Sequence, residues 1–200
     1  MTVLRRVKGS KAGRSRGPTI LKLPMSNLTK FVFSAAALCT LAAAAVDAQQ
    51  KPLSPPAESS ATISGKKITV NYSAPSMRGR KIFGDLEAYD RVWRTGANNA
   101  TTLTTEGNLT INGLKVPKGT YSLFTFIAAS QWQLIVNKQT GQSGLEYEQG
   151  QDLGRVKMTM SKPAAPVETF KITVASAGGN RGTLTMAWEN TVASVSFTVE

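Results

Sequence analysis

The sequence predicts an all-β protein with a single antiparallel β-sandwich or jelly-roll-like domain over residues 61–200. Apolar residues alternate with polar ones in segment after segment of this region, which is typical of strands with one buried face. An Asn112-Gly113 dipeptide joins two such segments and favours a two-residue type I′ hairpin turn. Turn residues separate the remaining segments, so we expect eight to ten short strands and at most one short helix, near residues 85–90.

The individual strands follow from the positions of the apolar residues. Residues 109–111 and 114–116 form the hairpin, and Gly119 ends the next turn. Residues 120–127 are apolar on both faces in their second half, which indicates a central strand covered on two sides. The other strands are predicted from these alternating residues: Ile68, Val70 and Tyr72; Trp132, Leu134 and Val136; Val156, Met158 and Met160; Phe170, Ile172 and Val174; Leu184, Met186 and Trp188; Val195, Phe197 and Val199.

The composition excludes several classes of catalytic site. The 200-residue chain has no histidine, which removes Ser-His-Asp and Cys-His nucleophile systems and His-ligated zinc or haem. Its single cysteine, Cys39, allows neither an intrachain disulfide nor a thiolate metal cluster. No Gly-rich phosphate-binding fingerprint is present. We therefore expect no catalytic residue, no metal site and no cofactor.

Residues 1–48 are predicted to be a basic extension followed by a signal peptide. The apolar stretch 31–46 has the length of a signal-peptide core and is short for a membrane span, although a retained anchor is the alternative. Small residues favour cleavage after Ala48, so we expect an exported chain, periplasmic or extracellular, without a membrane anchor. Residues 49–60 are polar and Pro-rich and are predicted to form a flexible tether.

Much of the formal charge of +12 lies in this leader. Residues 1–24 carry seven basic residues and no acid, and a shorter leader that begins at Met25 is complete without them. Residues 1–24 are therefore either untranslated or a basic arm. The chain after residue 48 keeps 16 basic and 11 acidic residues, a net charge of +5, which is weak evidence for a nucleic-acid partner. We expect no nucleic-acid partner, and the sequence makes no prediction of the oligomeric state.

One segment, residues 73–101, breaks the alternation and holds the candidate ligand site. It contains five of the 16 basic residues. Guanidinium groups suit carboxylate, phosphate or sulfate, and neighbouring aromatic rings can stack on a sugar. The candidate ligand-binding residues are Arg78, Arg80, Lys81, Tyr89, Trp93, Arg94, Asn98 and Asn99. The alternative is a structural role, in which Arg94 and Asn98 satisfy buried groups of the loop and Trp93 closes the end of the core.

Two arginines of this segment are expected to differ in role. Arg94 lies directly after Trp93, so we expect its backbone to be fixed against the core and its side chain to stabilise the loop. Arg80 lies between Gly79 and Lys81 in a more polar run, so we expect it to remain free to bind a ligand.

Two parts of the chain resemble a bacterial family, domain-of-unknown-function family 2911. The first part is GRKIFG at residues 79–84, with Tyr89 and VWRTGAN at residues 92–98. The second part is PKGTYSLF at residues 117–124, with the strand that runs from Trp132 to Asn137. The resemblance covers residues 52–200 and implies an exported β domain; it transfers no catalytic residue. Ala88 and Asp90 stand where the family often has Pro and Gly beside the tyrosine, so the local turn is expected to differ.

These observations favour a non-catalytic binding or accessory module of the cell envelope, with an anionic or sugar-bearing ligand at residues 73–101. The alternative is a glycan hydrolase that uses paired carboxylates, for which Asp85, Glu87 and Asp90 are the acidic residues in the loop. A second acidic stretch, residues 146–152, lacks the spacing of a calcium loop and is expected to be solvated.

Overall fold

The computed structural model of the protein describes residues 52–200, so the predicted leader lies outside the described residues. Within this range 13 strands form two antiparallel sheets, which confirms the all-β, sandwich-like fold. The helical content of the described residues is one 3-10 turn, Gln149–Gln151, and none of these residues form a helix long and apolar enough to cross a bilayer.

The strands are short and follow one another closely. In chain order they are β1 (Pro56–Ile63), β2 (Lys66–Ser73), β3 (Arg91–Trp93), β4 (Thr101–Thr105), β5 (Leu109–Ile111), β6 (Leu114–Val116), β7 (Gly119–Ile127), β8 (Gln133–Asn137), β9 (Asp152–Lys157), β10 (Thr159–Ser161), β11 (Val167–Ser176), β12 (Arg181–Glu189) and β13 (Thr191–Val199). The seven-stranded sheet has the order β1-β2-β4-β7-β8-β9, with β3 also paired to β7. The six-stranded sheet has the order β11-β12-β13-β5-β6, with β10 also paired to β13.

Local sequence signals placed the hairpin and the central strand correctly. Asn112 and Gly113 have φ values of 45° and 87°, as a type I′ turn between β5 and β6 requires. β7 pairs with β3 and β4 on one side and with β8 on the other. Leu123 of β7 lies in the main core, whereas Phe124 lies in a small second cluster on the outer face of the sheet. β7 is therefore covered on both faces, as predicted.

Three details of the prediction need correction. The structure has 13 strands rather than eight to ten, because β1, β3 and β4 lie in segments without a predicted strand and the strand expected at 156–160 is divided into β9 and β10. β1 begins at Pro56 and pairs with β2 along its whole length, so residues 56–60 of the predicted tether belong to the sheet. Residues 85–90 form turns without a helix, and the one 3-10 turn lies at 149–151 instead.

A loop interrupts one strand in the middle of the seven-stranded sheet. β3 and β4 lie end to end along the same side of β7, with Trp93 opposite Thr125 and Thr101 opposite Leu123. The seven residues between them, 94–100, leave the ladder. Irregularities of this kind redirect side chains and often lie beside functional sites. Most of the VWRTGAN sequence forms this loop.

The two sheets are joined along both sides. β9 continues into β10 through the buried Met158, where the strand leaves one sheet and enters the other. The Met158 N–H donates to the Trp132 carbonyl at 2.9 Å, and the Gln131 amide donates to the Met158 carbonyl at 2.7 Å. On the opposite side the Val174 N–H of β11 donates to the Ser59 hydroxyl of β1 at 2.9 Å.

An aromatic cluster lies between the sheets. Trp93 stacks on Trp188 with 5.8 Å between ring centroids and 18° between ring planes. Phe83, Trp132 and Phe170 surround Trp93 in edge-on contacts at 5.0 to 6.2 Å. Edge-on and offset contacts are the favoured arrangements of aromatic pairs. The cluster thus contains residues of both sheets and, through Phe83, of the loop between β2 and β3.

Gly96 is expected to be essential to the interrupting loop. Its φ is 147°, and a Cβ at this position would lie 2.8 Å from the Ser73 carbonyl oxygen. We expect Gly96→Ala to lower the free energy of unfolding by roughly 2–4 kcal/mol, since strain and a backbone clash combine. Gly79→Ala is the matched control, because Gly79 has a φ of 71° and open space around it. It should cost about 1 kcal/mol, and equal costs in urea unfolding would contradict the role given to Gly96.

Candidate functional site

The loop between β2 and β3 is attached to the six-stranded sheet by a carboxylate. Glu189, the last residue of β12, accepts the backbone N–H of Phe83 at 3.1 Å and that of Ile82 at 3.4 Å. These contacts hold both apolar side chains in the core. A turn follows directly, in which the Gly84 N–H donates to the Glu87 carbonyl at 2.9 Å. The position of Glu87 therefore depends on the two hydrogen bonds that Glu189 accepts from Ile82 and Phe83.

The interrupting loop 94–100 is held from within by hydroxyl groups. Thr95 is fully buried and has a φ of 57°, which a β-branched residue rarely adopts. Its hydroxyl lies 2.7 Å from the Thr125 hydroxyl, and its carbonyl accepts the Thr101 hydroxyl at 2.7 Å. Strain of this kind persists only where the surroundings over-determine the conformation. The backbone on either side of Arg94 is therefore rigid.

A cleft of about 380 Å³ lies on the outer face of the seven-stranded sheet. Its base is Val92 and Phe124, which point away from the main core because their neighbours Trp93 and Leu123 point into it. The lining residues are Leu86, Glu87, Val92, Trp93, Arg94, Phe124, Gly144, Leu145 and Tyr147. The β2–β3 loop, the start of the interrupting loop and the loop between β8 and β9 all contribute to this lining.

Glu87 is a half-buried carboxyl group in this cleft. Burial raises its pKa, because the charged form loses hydration. Arg94 opposes this rise through its charge, the indole N–H of Trp93 opposes it further, and Arg91 does so to a smaller extent. No ion pair joins Arg94 to Glu87 among residues 52–200, so their attraction acts over a longer distance.

Two donors in the cleft have unused capacity. Trp93 is only 3% exposed, and its indole N–H lies near Glu87 but has no hydrogen-bond partner among the described residues. Arg94 donates from Nε to the Gly96 carbonyl at 3.3 Å, and its terminal nitrogens have no acceptor within residues 52–200. A Cβ on Gly144 would lie 2.7 Å from Arg94 Cδ, so the absence of a side chain at Gly144 makes room for Arg94.

Tyr147 closes the cleft on the side of the β8–β9 loop. Its ring packs on Phe124 with 4.9 Å between centroids. Its hydroxyl donates to the Asp152 carboxylate at 2.7 Å and accepts from the Arg155 guanidinium at 2.6 Å. Burial, followed by the bond to Asp152, raises the pKa of Tyr147 to about 12. Asn137 also donates to Asp152 at 3.0 Å, so this network fixes the loop to β8 and β9.

The structure brings together only two of the eight candidate residues, Trp93 and Arg94. The other six lie in the loops outside the cleft, and all six are exposed. Tyr89 is 38% exposed, and its ring covers Gly84. The remaining five are Arg78, Arg80, Lys81, Asn98 and Asn99.

The hydrogen bonds reverse the roles expected for the two arginines. Arg80 donates to the carbonyls of Ser76 and Met77, both at 2.9 Å, and so closes its own turn. Arg94 makes one long hydrogen bond and lines the cleft. Arg78 resembles Arg80, since its side chain donates to the Leu53 carbonyl at 2.8 Å. Arg94 is therefore the better ligand-binding candidate.

Sequence reasoning missed most of the lining. Glu87 was considered only as part of a carboxylate cluster, yet Asp85 and Asp90 do not line the cleft. Tyr147 lies within the acidic stretch expected to be a solvated loop, and its hydroxyl is instead bonded to two side chains. The sequence did contain one signal for Tyr147, since it is the single aromatic residue in a polar stretch.

A double-mutant cycle distinguishes the two arginines. Arg80→Ala removes two exposed hydrogen bonds and should cost about 1 kcal/mol of stability. This cost should be the same in the wild type and in Glu87→Gln. Arg94→Ala should cost roughly 0.5–1 kcal/mol less in the Glu87→Gln background, because no carboxylate charge is then left uncompensated. Urea unfolding near neutral pH measures all four variants, and equal coupling for both arginines would contradict the assignment.

The hydroxyl of Tyr147 is expected to give a stability that depends on alkaline pH. The native state holds this proton more tightly than the unfolded chain, so the contribution is complete below about pH 10 and falls as the pH rises towards about 12. Tyr147→Phe should lower the free energy of unfolding by about 1 kcal/mol at neutral pH. The difference from the wild type should shrink above about pH 10. Tyr89→Phe, whose hydroxyl has no partner among residues 52–200, should change neither quantity.

Comparison with known proteins agrees with the resemblance seen in the sequence. The model of a family described as "Protein of unknown function (DUF2911)" matches residues 54–197. The match includes β3, the interrupting loop and all the lining residues of the cleft. No curated protein and no solved structure matches the chain. The chain belongs to the DUF2911 family, a family of proteins of unknown function.

Proposed function

We propose that this domain is a non-catalytic binding module of the cell envelope, and that an anionic or sugar-bearing ligand binds in the outer cleft through Arg94. The single observation that carries the proposal is the guanidinium of Arg94, which lines the cleft without an acceptor for its terminal nitrogens among residues 52–200. Export, to the periplasm or beyond the cell, is part of the proposal and depends on the signal-peptide pattern of residues 31–48.

The composition of the cleft supports a binding role. Apolar side chains form most of its surface, and a few polar groups converge on it from three different loops. This combination is typical of small-molecule sites, in which apolar walls provide affinity and a few polar groups fix orientation. The rigid backbone around Arg94 also favours binding, since a preorganised donor loses little entropy when a ligand arrives.

The second candidate function, a carboxylate-dependent glycan hydrolase, has less support. Such enzymes place two carboxyl groups on opposite sides of the scissile bond. Glu87 is the one carboxylate among the lining residues, and the Asp152 carboxylate behind Tyr147 is bonded to Asn137, Tyr147 and Arg155. A binding module therefore accounts better for the arrangement.

The proposal is tested by NMR titration of the isotope-labelled protein with three probes: hexanoate, glucuronate and methyl glucoside. We expect at least one probe to shift the indole N–H resonance of Trp93, since this group lies beside Glu87 and lines the cleft. Arg94→Gln should weaken that binding by about tenfold or more, because a charge-assisted hydrogen bond to the ligand is lost. Arg80→Gln is the matched control and should bind as the wild type does.

Gly144→Ala provides an independent variant that keeps every charge. The added methyl group would lie 2.7 Å from both Arg94 Cδ and the Asn98 carbonyl oxygen, so the Arg94 side chain and the loop backbone beside it must shift. Binding should then weaken although the guanidinium is still present. The midpoint of urea unfolding is measured for each variant, so that weaker binding is not mistaken for loss of the fold. Probe shifts that are absent from the cleft, or that are equal in the wild type and Arg94→Gln, would contradict the proposal.

A further inference from the structure

The rims of the cleft are apolar and exposed. Four large hydrophobic side chains are exposed among residues 52–200, and two of them, Leu86 at 48% and Leu145 at 79%, line this cleft. They belong to different loops, and Val92 and Phe124 lie in the base. A ligand with a hydrocarbon body would remove these surfaces from water, which is the main favourable term in apolar recognition.

The aromatic groups of the cleft are poorly suited to a sugar ring. The ring of Trp93 is 3% exposed and lies between core residues, so it offers no open face for stacking. The Tyr147 hydroxyl is already bonded to Asp152 and Arg155, and its ring packs on Phe124. The remaining polar groups, Glu87 and Arg94, are too few for the several hydroxyls of a sugar.

Glu87 and Arg94 are the two charged residues of the lining, and their charges balance when Glu87 is ionised. The groups that face Glu87 are Arg94, the Trp93 indole and Arg91, and Tyr147 in the same lining is neutral because its pKa is raised to about 12. An ionised Glu87 would repel an anion held by Arg94. A protonated Glu87 would instead donate its O–H to the anion, and its carbonyl oxygen would remain available to the Trp93 N–H.

We infer that the cleft binds an anion with an apolar body, an alkyl or aryl carboxylate or sulfonate, and that Glu87 takes up one proton from solvent when this anion binds. The inference depends on the proposed function, because it names the ligand class and the regulation of the same cleft. The new O–H bond on Glu87 forms as hydronium or the buffer acid gives up its proton, and no other covalent bond forms or breaks. Burial already raises the pKa of Glu87, and an anion on Arg94 would raise it further by cancelling the charge that opposes the rise.

The test uses calorimetric titration with 1-octanesulfonate, below its micelle concentration, at about pH 8 and about pH 5.5. The sulfonate headgroup stays ionised at both pH values, so any change in affinity between them arises from a titrating group of the protein. We expect binding to the wild type to be about fivefold or more tighter at the lower pH, a typical size for two linked sites. Glu87→Gln should bind equally at both pH values, and at least as tightly as the wild type does at the lower one, because the amide is a neutral donor and acceptor. Arg94→Gln should lose binding at both pH values, and Arg80→Gln should follow the wild type.

Octyl glucoside and octylammonium, with the same alkyl chain, test the ligand class. Equal or tighter binding of either compound would overturn the assignment of an anion. If octanesulfonate binding requires Arg94 but has the same affinity at both pH values, the proposal that Glu87 takes up a proton is wrong. If octanesulfonate fails and glucuronate or methyl glucoside still binds through Arg94, the apolar anion is wrong and the proposed function stands. If no probe responds to Arg94→Gln, the proposed function itself is wrong.

Discussion

The burial of the Trp93 indole between the two sheets is the interaction on which the rest of the structure depends. Trp93 ends β3 in the seven-stranded sheet, and its ring stacks on Trp188 of β12 and meets Phe170 of β11 in the other sheet. The same ring also meets Phe83, which comes from the β2–β3 loop. One side chain thus joins both sheets and the loop that shapes the cleft. Because Arg94 is the next residue, the packing of Trp93 also fixes the backbone position from which the Arg94 side chain extends.

The candidate site occurs where the regular ladder is interrupted. A continuous strand would place a residue opposite each position of β7, whereas the loop 94–100 leaves the ladder. The conformation is demanding, since Thr95 has a positive φ and a Cβ at Gly96 would lie 2.8 Å from the Ser73 carbonyl oxygen. Buried hydroxyl contacts at Thr101 and Thr125 compensate for this strain. The rigidity that results is useful to a binding site, because Arg94 and the edge of Trp93 are held in place before any ligand arrives.

Prediction of the fold succeeded wherever the determining physics is local. Alternating burial and the two positive φ values of Asn112-Gly113 depend on neighbouring residues, and both are present in the structure. The errors occurred where distant residues decide. Residues 56–60 end a polar, Pro-rich stretch, yet they pair with β2 because a sheet edge is available there. β9 and β10 are separate strands only because the chain changes sheets at Met158, and this change depends on the packing of the whole sandwich.

The sequence by itself determined the class of fold, the short hairpin, the central strand and the segment in which Arg94 and Trp93 lie, because periodicity and turn chemistry act over a few residues. Only the tertiary structure decided which of the charged residues share a site. Arg80 closes its own turn, whereas Arg94 lines one cleft with Glu87 from the β2–β3 loop and with Tyr147 from a loop more than 50 residues later in the chain. The physical reason is that hydrogen-bond partners and burial are properties of the packed chain: the same side chain is structural or available for binding according to which carbonyls and carboxylates the fold places beside it.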